Sequence, residues 1–388
     1  MKVLVYGLAR SGVAAASALE ARGDEVVSVD GELGNESDLG LLLGVDLVVK
    51  NPGVPGDRPL VVEAHRRGIP VWSEVELGWR LLAPRPFIGV TGTKGKTTTS
   101  ELLGEIFRAA GREVVVAGNV GRPLSAVDAS EDAWIVCELS SFQLEDVHEL
   151  ALEVAVLLNL EPDHLDRHGT FEQYRAAKLR IFERARHRIV PRGLGLEGIE
   201  FSADDPLPAE PRLPGRHNRA NAAAATAAAR AAAIPDEAIG EGLRDFRGVP
   251  HRLELVRERD GVRWINDSIA TNTLAARAGV DAFDAPVRLI LGGRAKGEDY
   301  NAFARGLPAR VAEVYLVGEA SDELAAALEG AGRSFERAET IERAVELAAN
   351  VASPGDVVLL SPACASYDQF ANFERRGEEF RRLVSKLP

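Results

Sequence analysis

The stretch Val90–Leu103, VTGTKGKTTTSELL, reads as the end of a strand, a glycine loop and the start of a helix. Gly92 and Gly95 let backbone amides turn inward on phosphate oxygens at a helix N-terminus, where the helix dipole also favours anions. Lys96 is placed to reach the outer phosphates as a point charge, and the Thr97 hydroxyl to ligate Mg²⁺. The common GxxxxGK loop would need glycine at position 90, where this chain has Val90. An ordinary capped turn has no use for two Gly, two Lys and three Thr within Gly92–Thr98. The stretch therefore implies nucleoside triphosphate binding.

Outward from this loop, short β-branched runs alternate with Ala/Leu-rich helical stretches, the pattern of parallel sheets with crossover helices. Upstream, KVLVYG, EVVSVD, DLVVKNPG and Ile69–Trp72 read as strands and SGVAAASALEARG as a helix, up to a Pro-rich linker at Ala83–Pro86. Phe87 opens a second unit with strands FIGV, EVVVAGN, WIVCE and LEVAVLLN, then an irregular stretch from Pro191 and an Ala-rich helix from Asn221. After a boundary near Arg247–Pro250, VRWIND, VRLILGG, EVYLVG and DVVLLSPA are the strands of a third. The fold class is α/β, with domains at 1–84, 85–248 and 249–388.

The 388 residues suffice for several cores, and 46% apolar residues exclude a disordered chain. A net charge of −13 argues against a protein that coats nucleic acid. Only seven of the 46 basic residues are Lys (2, 50, 94, 96, 178, 296, 386). Arg is a fixed cation in a planar fork, whereas Lys can lose its proton and react, so each lysine asks for a reason. Cys137 and Cys364 make neither a disulfide framework nor a CxxC metal site. MKVLVYG runs directly into a strand pattern, and no apolar run reaches the roughly 18 residues of a membrane span. A cytoplasmic protein without membrane insertion is expected.

Other clusters fall at strand ends, where α/β sheets bind ligands. Glu138 ends WIVCE and offers an oxygen donor to Mg²⁺. EPDHLDRH crowds acids and histidines onto one loop, with His164 either a surface residue or a ligand, and Lys178 on the following helix either solvated or functional. GLARSG (7–12) with Asp30 approximates a dinucleotide fingerprint, but Ala9 replaces the middle glycine, so a plain tight turn is equally compatible. In GRHNRAN, Asn218 is either a helix N-cap or a purine-recognising amide. INDSIATN, GGRAKGEDY and SPACASYDQFANFERRG adjoin later strand ends, and Lys296 sits in a Gly-rich turn suited to an anion.

Together, GTKGKTT, GNVG (118–121), ELSSFQL, DHLDRH with YRAAK, HNRAN, PHR and NDSIATN resemble the Mur ligase family over nearly the whole chain. SPACASYDQFANFERRGEEF is most like the branch that adds D-glutamate. The resemblance implies Rossmann-like N- and C-terminal domains around a central P-loop-type ATPase, acting as a monomer. It implies that ATP phosphorylates the carboxylate of UDP-N-acetylmuramoyl-L-alanine and that the D-glutamate amine displaces phosphate. By motif, Gly92, Thr93, Lys94, Gly95, Lys96, Thr97, Thr98, Asn218, Arg252 and Asp267 would hold ATP. Thr97, Glu138, His164 and Lys178 would serve two Mg²⁺ sites, Lys178 as a CO₂-derived carbamate, with Lys96, His164 and Lys178 catalytic. Ser11, Asp30, Asn51 and Asn119 would lie near the UDP-sugar, and Thr271, Lys296, Ser366 and Phe373 would hold D-glutamate.

Three features depart from the family pattern. Ile269 replaces the lysine of NDSKATN, Asp30-Gly31-Glu32 stands where a basic residue is common, and the central unit is short from Pro191 to Leu213. None removes a metal or phosphate residue, so activity is expected. The alternatives are another Mur ligase or folylpolyglutamate synthetase, an NAD-dependent oxidoreductase using GLARSG, and a non-catalytic nucleotide-binding regulator.

Overall fold

The computed structural model describes residues 1–213 and 215–388, which form two compact units, Met1–Arg247 and Gly248–Pro388. The sequence boundary drawn at 248/249 falls one residue from this division. The first unit holds two parallel sheets. One has β1 (Lys2–Tyr6), β2 (Glu25–Val29), β3 (Leu47–Lys50) and β4 (Val71–Ser73) in the order β2-β1-β3-β4. The other has β5 (Phe87–Thr91), β6 (Val114–Gly118), β7 (Trp134–Glu138), β8 (Leu152–Leu157), β9 (Ala185–Pro191) and β10 (Ile199–Phe201), in the order β10-β9-β8-β5-β7-β6. All five residues of β5 are buried, as expected of a strand covered on both faces. The helix Lys96–Ala109 buries Leu102, Leu103, Ile106 and Phe107, each contributing about 1.5–3 kcal/mol.

The two sheets of this unit are joined by buried charge as well as by apolar packing. Glu76, on the helix Glu74–Leu82, is fully buried. Its carboxylate accepts hydrogen bonds from the backbone N–H groups of His148, Glu149 and Leu150 and from Arg80 Nε. Glu74 accepts from the Ser125 amide and hydroxyl, both at 2.6 Å, and burial raises its pKa.

The second unit is built on β11 (Glu254–Arg259), β12 (Val262–Asn266), β13 (Val287–Gly292), β14 (Val311–Val317), β15 (Phe335–Glu339) and β16 (Val357–Leu360). Their order is β11-β12-β16-β13-β14-β15, parallel except for the β11/β12 hairpin. Apolar clusters cover both faces, one around Leu289, Leu316 and Leu359, the other around Ile290, Tyr315 and Phe380.

Three local expectations change. β10 occupies part of the stretch read as irregular and pairs with β9, Ile199 opposite Ile189. The Ala-rich helix spans Arg216–Ala231 with Gly215 as its N-cap, so Asn218 lies inside the first turn and is not the cap. β9, β11 and β15 were not anticipated. In each sheet the strand order reverses beside the strand whose C-terminal end carries the motifs, the position where open α/β sheets take ligands.

Candidate active site

The phosphate loop leaves β5 at the switch between β7 and β8. Gly95 adopts φ +85°, and a Cβ there would lie 2.4 Å from Asn221 Oδ1, so only glycine fits between loop and helix. The loop is laced to the end of β8. The Lys94 amide donates to Asn159 Oδ1 at 2.8 Å, Asn159 Nδ2 donates back to Lys94 O, and the Glu161 amide donates to Thr93 Oγ1. Lys94 Nζ pairs with Glu161 at 2.9 Å, which raises its pKa. Lys96 Nζ lies over the loop, donating to Gly92 O at 3.0 Å and Thr93 O at 3.1 Å. Thr97 is buried at the first turn of the helix, and Thr98 follows it. Glu138 is paired by sheet register with Val90, which sets its carboxylate beside the loop. Asn119, expected near the UDP-sugar, donates from Nδ2 to Glu138 Oε1 at 3.0 Å.

Lys178 comes in from the helix Phe171–Leu179 and is 2% exposed. Its Nζ donates to Gly92 O at 2.8 Å, the carbonyl that Lys96 also uses, and sits 4.9 Å over the Tyr174 ring. Burial, reinforced by the Lys96 charge, lowers its pKa to about 7. His164 has left-handed backbone at φ 51°, a conformation that costs a non-glycine residue about 1–2 kcal/mol. It is half-exposed, 3.7 Å from Asp163, with its ring 5.0 Å from Phe142.

Sequence reasoning passed over His168. It is buried, hydrogen-bonded at Nε2 to Ser141 Oγ at 2.9 Å, stacked on Phe142 and edge-on to Tyr174. Tyr174 in turn shares a 2.9 Å hydrogen bond with Thr93 Oγ1. The signal was present in the second histidine of EPDHLDRH, one helical turn after His164.

Among the described residues, no three His, Cys, Asp or Glu side chains cluster closely enough to hold a metal by themselves. The available donors, the Glu138 carboxylate and the Thr97 hydroxyl, are hard oxygens. They suit an Mg²⁺ ion that takes one or two protein oxygens and completes its shell with phosphate and water.

At the edge of the N-terminal sheet, Asn51 Nδ2 donates to Ser11 Oγ at 2.8 Å. Asp30 accepts from the Leu8 and Glu32 amides at 2.6 and 2.9 Å, which lowers its pKa and commits it to shaping its own loops. Ser11, Asp30 and Asn51 thus converge on the β1/β3 switch. A Cβ on Gly12 would fall 1.8 Å from Gly7 O, so the GLARSG glycines are needed for a close turn.

In the second unit, Asp267 Oδ2 accepts from Ser361 Oγ at 2.7 Å and Oδ1 from the Leu253 amide at 3.2 Å. Burial raises its pKa to about 6, against the pull of the Arg252 charge. Arg252 is exposed between His251 and Leu253, both at positive φ, a strained tripeptide that presents it at the strand end. Lys296 Nζ donates to Thr271 Oγ1 at 3.4 Å. Phe373 is half-buried, edge-on to His251, and its carbonyl accepts from Ser268 Oγ at 2.8 Å. Ser366 is buried. A further residue, Arg376, is 1% exposed, and among the described residues no carboxylate is hydrogen-bonded to it. It donates to Ser268 Oγ (3.0 Å), Ser268 O (2.9 Å) and Cys364 O (3.1 Å). Burial lowers its pKa to about 10.

The Mur ligase middle domain model matches residues 90–191, and the Mur ligase glutamate ligase domain model matches residues 251–364. The chain is 41% identical to a UDP-N-acetylmuramoylalanine–D-glutamate ligase of Acidobacterium capsulatum, covering 99% of this chain and 96% of the relative. It is 42% identical to the enzyme of that name from Desulfitobacterium hafniense, with 99% and 97% covered. Both alignments run over 443 positions, so these relatives carry residues that the 388 here lack. Among solved structures, the UDP-N-acetylmuramate–alanine ligase of Thermotoga maritima shares the fold over the full length of both chains, with a TM-score of 0.58 at 19% identity.

Proposed function

The chain belongs to the Mur ligase family, and from that premise we propose that it joins D-glutamate to UDP-N-acetylmuramoyl-L-alanine in an ATP-dependent step of peptidoglycan precursor synthesis. The observation that carries the reading is the meeting of Lys96, Lys178 and the glycine loop on one carbonyl, Gly92 O, beside the Glu138 strand end.

A carboxylate resists attack by an amine because its leaving group would be oxide. Transfer of the ATP γ-phosphoryl group to the alanyl carboxylate gives an acyl phosphate, and the D-glutamate amine then displaces phosphate. Such a reaction needs positioning and charge neutralisation more than covalent help. The amides of Gly92–Thr98 and the Lys96 ammonium would cradle the phosphates. Glu138 and Thr97 would hold Mg²⁺, which supplies charge neutralisation on the phosphate oxygens. His164 and Lys178 are assigned to a second Mg²⁺. An ammonium at Lys178 would repel that ion, whereas its carbamate would offer carboxylate-like oxygens, and an amine brought to about pKa 7 has the neutral form whose lone pair attacks CO₂, with loss of a proton. Asn218, Arg252 and Asp267 are assigned to the adenosine part of ATP. Ser11, Asp30, Asn51 and Asn119 are assigned to the sugar nucleotide, and Thr271, Lys296, Ser366 and Phe373 to D-glutamate, with Lys296 pairing a carboxylate. We place the enzyme in the cytoplasm, as a monomer; no helix among the described residues is long and apolar enough to cross a membrane.

The test is phosphate release with ATP, Mg²⁺ and UDP-N-acetylmuramoyl-L-alanine against a panel of amino acids. Release with D-glutamate is expected. Release with L-alanine, L-lysine or meso-diaminopimelate but not D-glutamate would overturn the substrate assignment while leaving the ligase chemistry.

A further inference from the structure

Lys50 is one of the seven lysines, and none of the roles above uses it. It ends β3 and is 2% exposed, in a strand whose other residues are the buried aliphatics Leu47, Val48 and Val49. Burying an ammonium costs several kcal/mol unless it is paired, and a packed apolar side chain would satisfy the strand at least as well. Its partners explain the charge. Nζ donates to Val54 O at 3.1 Å and lies 2.9 Å from Asp146 Oδ2 and 3.8 Å from Glu145 Oε2. Val54 O accepts a second hydrogen bond, at 3.0 Å, from Arg167 Nη2, which is also 3.6 Å from Glu145. The other Glu145 oxygen lies 3.4 Å from His168 Nδ1.

Each group in this cluster belongs to a segment with a role in the site. Val54 closes the turn that begins with Asn51, the partner of Ser11. The turn continues into Pro55–Pro59, which with Glu145, Asp166 and Arg167 lines a cavity of ~660 Å³. Glu145 and Asp146 follow the helix Ser141–Leu144, which begins just after Glu138. Arg167 and His168 end the short helix that His164 opens. One ammonium therefore ties the wall of a substrate-sized cavity directly to the segment after Glu138, and the Val54 carbonyl and Glu145 that it shares with Arg167 carry the tie on to the His164 helix.

We propose that Lys50 is a positioning residue for the sugar-nucleotide substrate, holding the Asn51–Pro59 wall in register with the Glu138 and His164 segments. It touches no reacting atom and acts through the turn it closes. The inference rests on the assignment of Ser11 and Asn51 to the UDP-sugar. Arg would carry the charge, but its larger planar fork would have to displace the Val54, Asp146 and Glu145 oxygens that close on a compact ammonium.

The experiment is steady-state kinetics of Lys50→Met, Lys50→Arg and the double variant Lys50→Met/Asp146→Asn, with hydrogen–deuterium exchange on the ligand-free proteins. Lys50→Met is expected to raise KM for UDP-N-acetylmuramoyl-L-alanine about tenfold, with KM for ATP and D-glutamate within about twofold and kcat within about threefold. Lys50→Arg should fail to restore that KM, and the double variant should be no worse than Lys50→Met alone, since the pair acts as a unit. Amides of 51–57 and 165–168 should exchange faster in Lys50→Met, and those of 96–103 should not. A KM for ATP that rises in step, or exchange that quickens everywhere, would mean a merely structural lysine and overturn the proposal, as would an unchanged KM for the sugar nucleotide. If the Lys50 variants do not fold, Arg167→Met, altered at the second donor to Val54 O, must show the same selective rise, and its failure to do so also overturns the proposal. Wild-type protein that turns over no UDP-N-acetylmuramoyl-L-alanine refutes the functional reading instead, and the exchange pattern then decides the coupling by itself.

Discussion

An ordinary lysine amine is neutral in roughly one molecule in three thousand at pH 7, whereas Lys178, brought to about 7, is neutral in about half. Carbamate formation needs that neutral amine. Incubation with ¹³C-bicarbonate is therefore expected to give a carbamate resonance in the wild type that half-develops near pH 7, and none in Lys178→Arg. The arginine variant should lose roughly a hundredfold or more in activity, and Lys178→Ala should be partly restored by formate or acetate; a fully active Lys178→Arg would remove the carbamate from the account. Asp267 carries the opposite sign. Burial lifts its carboxyl to about 6 from 3.8, so between those values the folded chain keeps a proton that the unfolded chain has released. Stability from this group is intact below about pH 4 and is lost as pH rises through 6. Asp267→Asn has no charge to bury and should gain on the order of 2–3 kcal/mol relative to the wild type between pH 4 and 7.5 in urea unfolding. A difference that stays flat with pH would show that the carboxyl is not held up. Neither shift is legible in a sequence, because it depends on what surrounds the side chain. The lysine could still be singled out because Arg is so much commoner in this chain, while Asp267 stood out only through its motif.

Elements were legible where periodicity and length left one solution. The fully buried β5 and the β8 run, broken only at Glu153, read as apolar strands flanked by glycine or polar loops, and the phosphate-loop helix followed from its glycine start. β9, β10, β11 and β15 were missed because ARHRIVP, IEF, ELVRER and FERAE carry too much charge or too few residues for an apolar run. β10, β11 and β15 lie at sheet edges, where one side needs no apolar cover, whereas β9 lies between β8 and β10. One of them did leave a mark: Asp260-Gly261, both at positive φ, is a two-residue hairpin turn and predicts a strand on each side. The helix Phe373–Lys386 hides a second kind of information. Its apolar face anchors it through Phe380, Leu383 and Val384, but its first turns carry Arg376 inward among backbone oxygens. Ser268 lies three residues before Thr271 and Cys364 two before Ser366, so this one guanidinium orders both loops assigned to the amino acid. Arg376→Lys keeps the charge and loses the fork. It should raise KM for D-glutamate roughly tenfold while leaving KM for ATP near wild type; equal changes in both would reduce Arg376 to a packing role.

At the scale of the whole molecule, the first two of the three α/β units read from the sequence share one compact unit, Met1–Arg247. Glu74, Glu76 and Lys50 help to join them. Acids in the first turn of a helix read as surface residues that complement the helix dipole. Here Glu76 instead gathers three backbone amides from the central sheet's segment, and Lys50 reaches Asp146. Partners fifty or more residues away leave no local signature. Gly248–Pro388 has no such debt to the rest of the chain for its core, because both apolar clusters on its sheet are closed by residues from Val262 to Val384. A unit of this size lies within the ordinary range for an independently folding domain. The fragment 248–388 is therefore expected to unfold in one cooperative transition in urea, with intact near-UV dichroism. The fragment 85–247 should lose cooperativity, because it lacks the Glu74 and Glu76 carboxylates and so leaves the amides of 148–150 and Ser125 without their acceptors. Fragments that both fold cooperatively would show that the buried charges add little to apolar packing between the first two sheets. If 248–388 were compact but without a cooperative transition, its own clusters would be insufficient and the division at 247/248 would not mark a folding boundary.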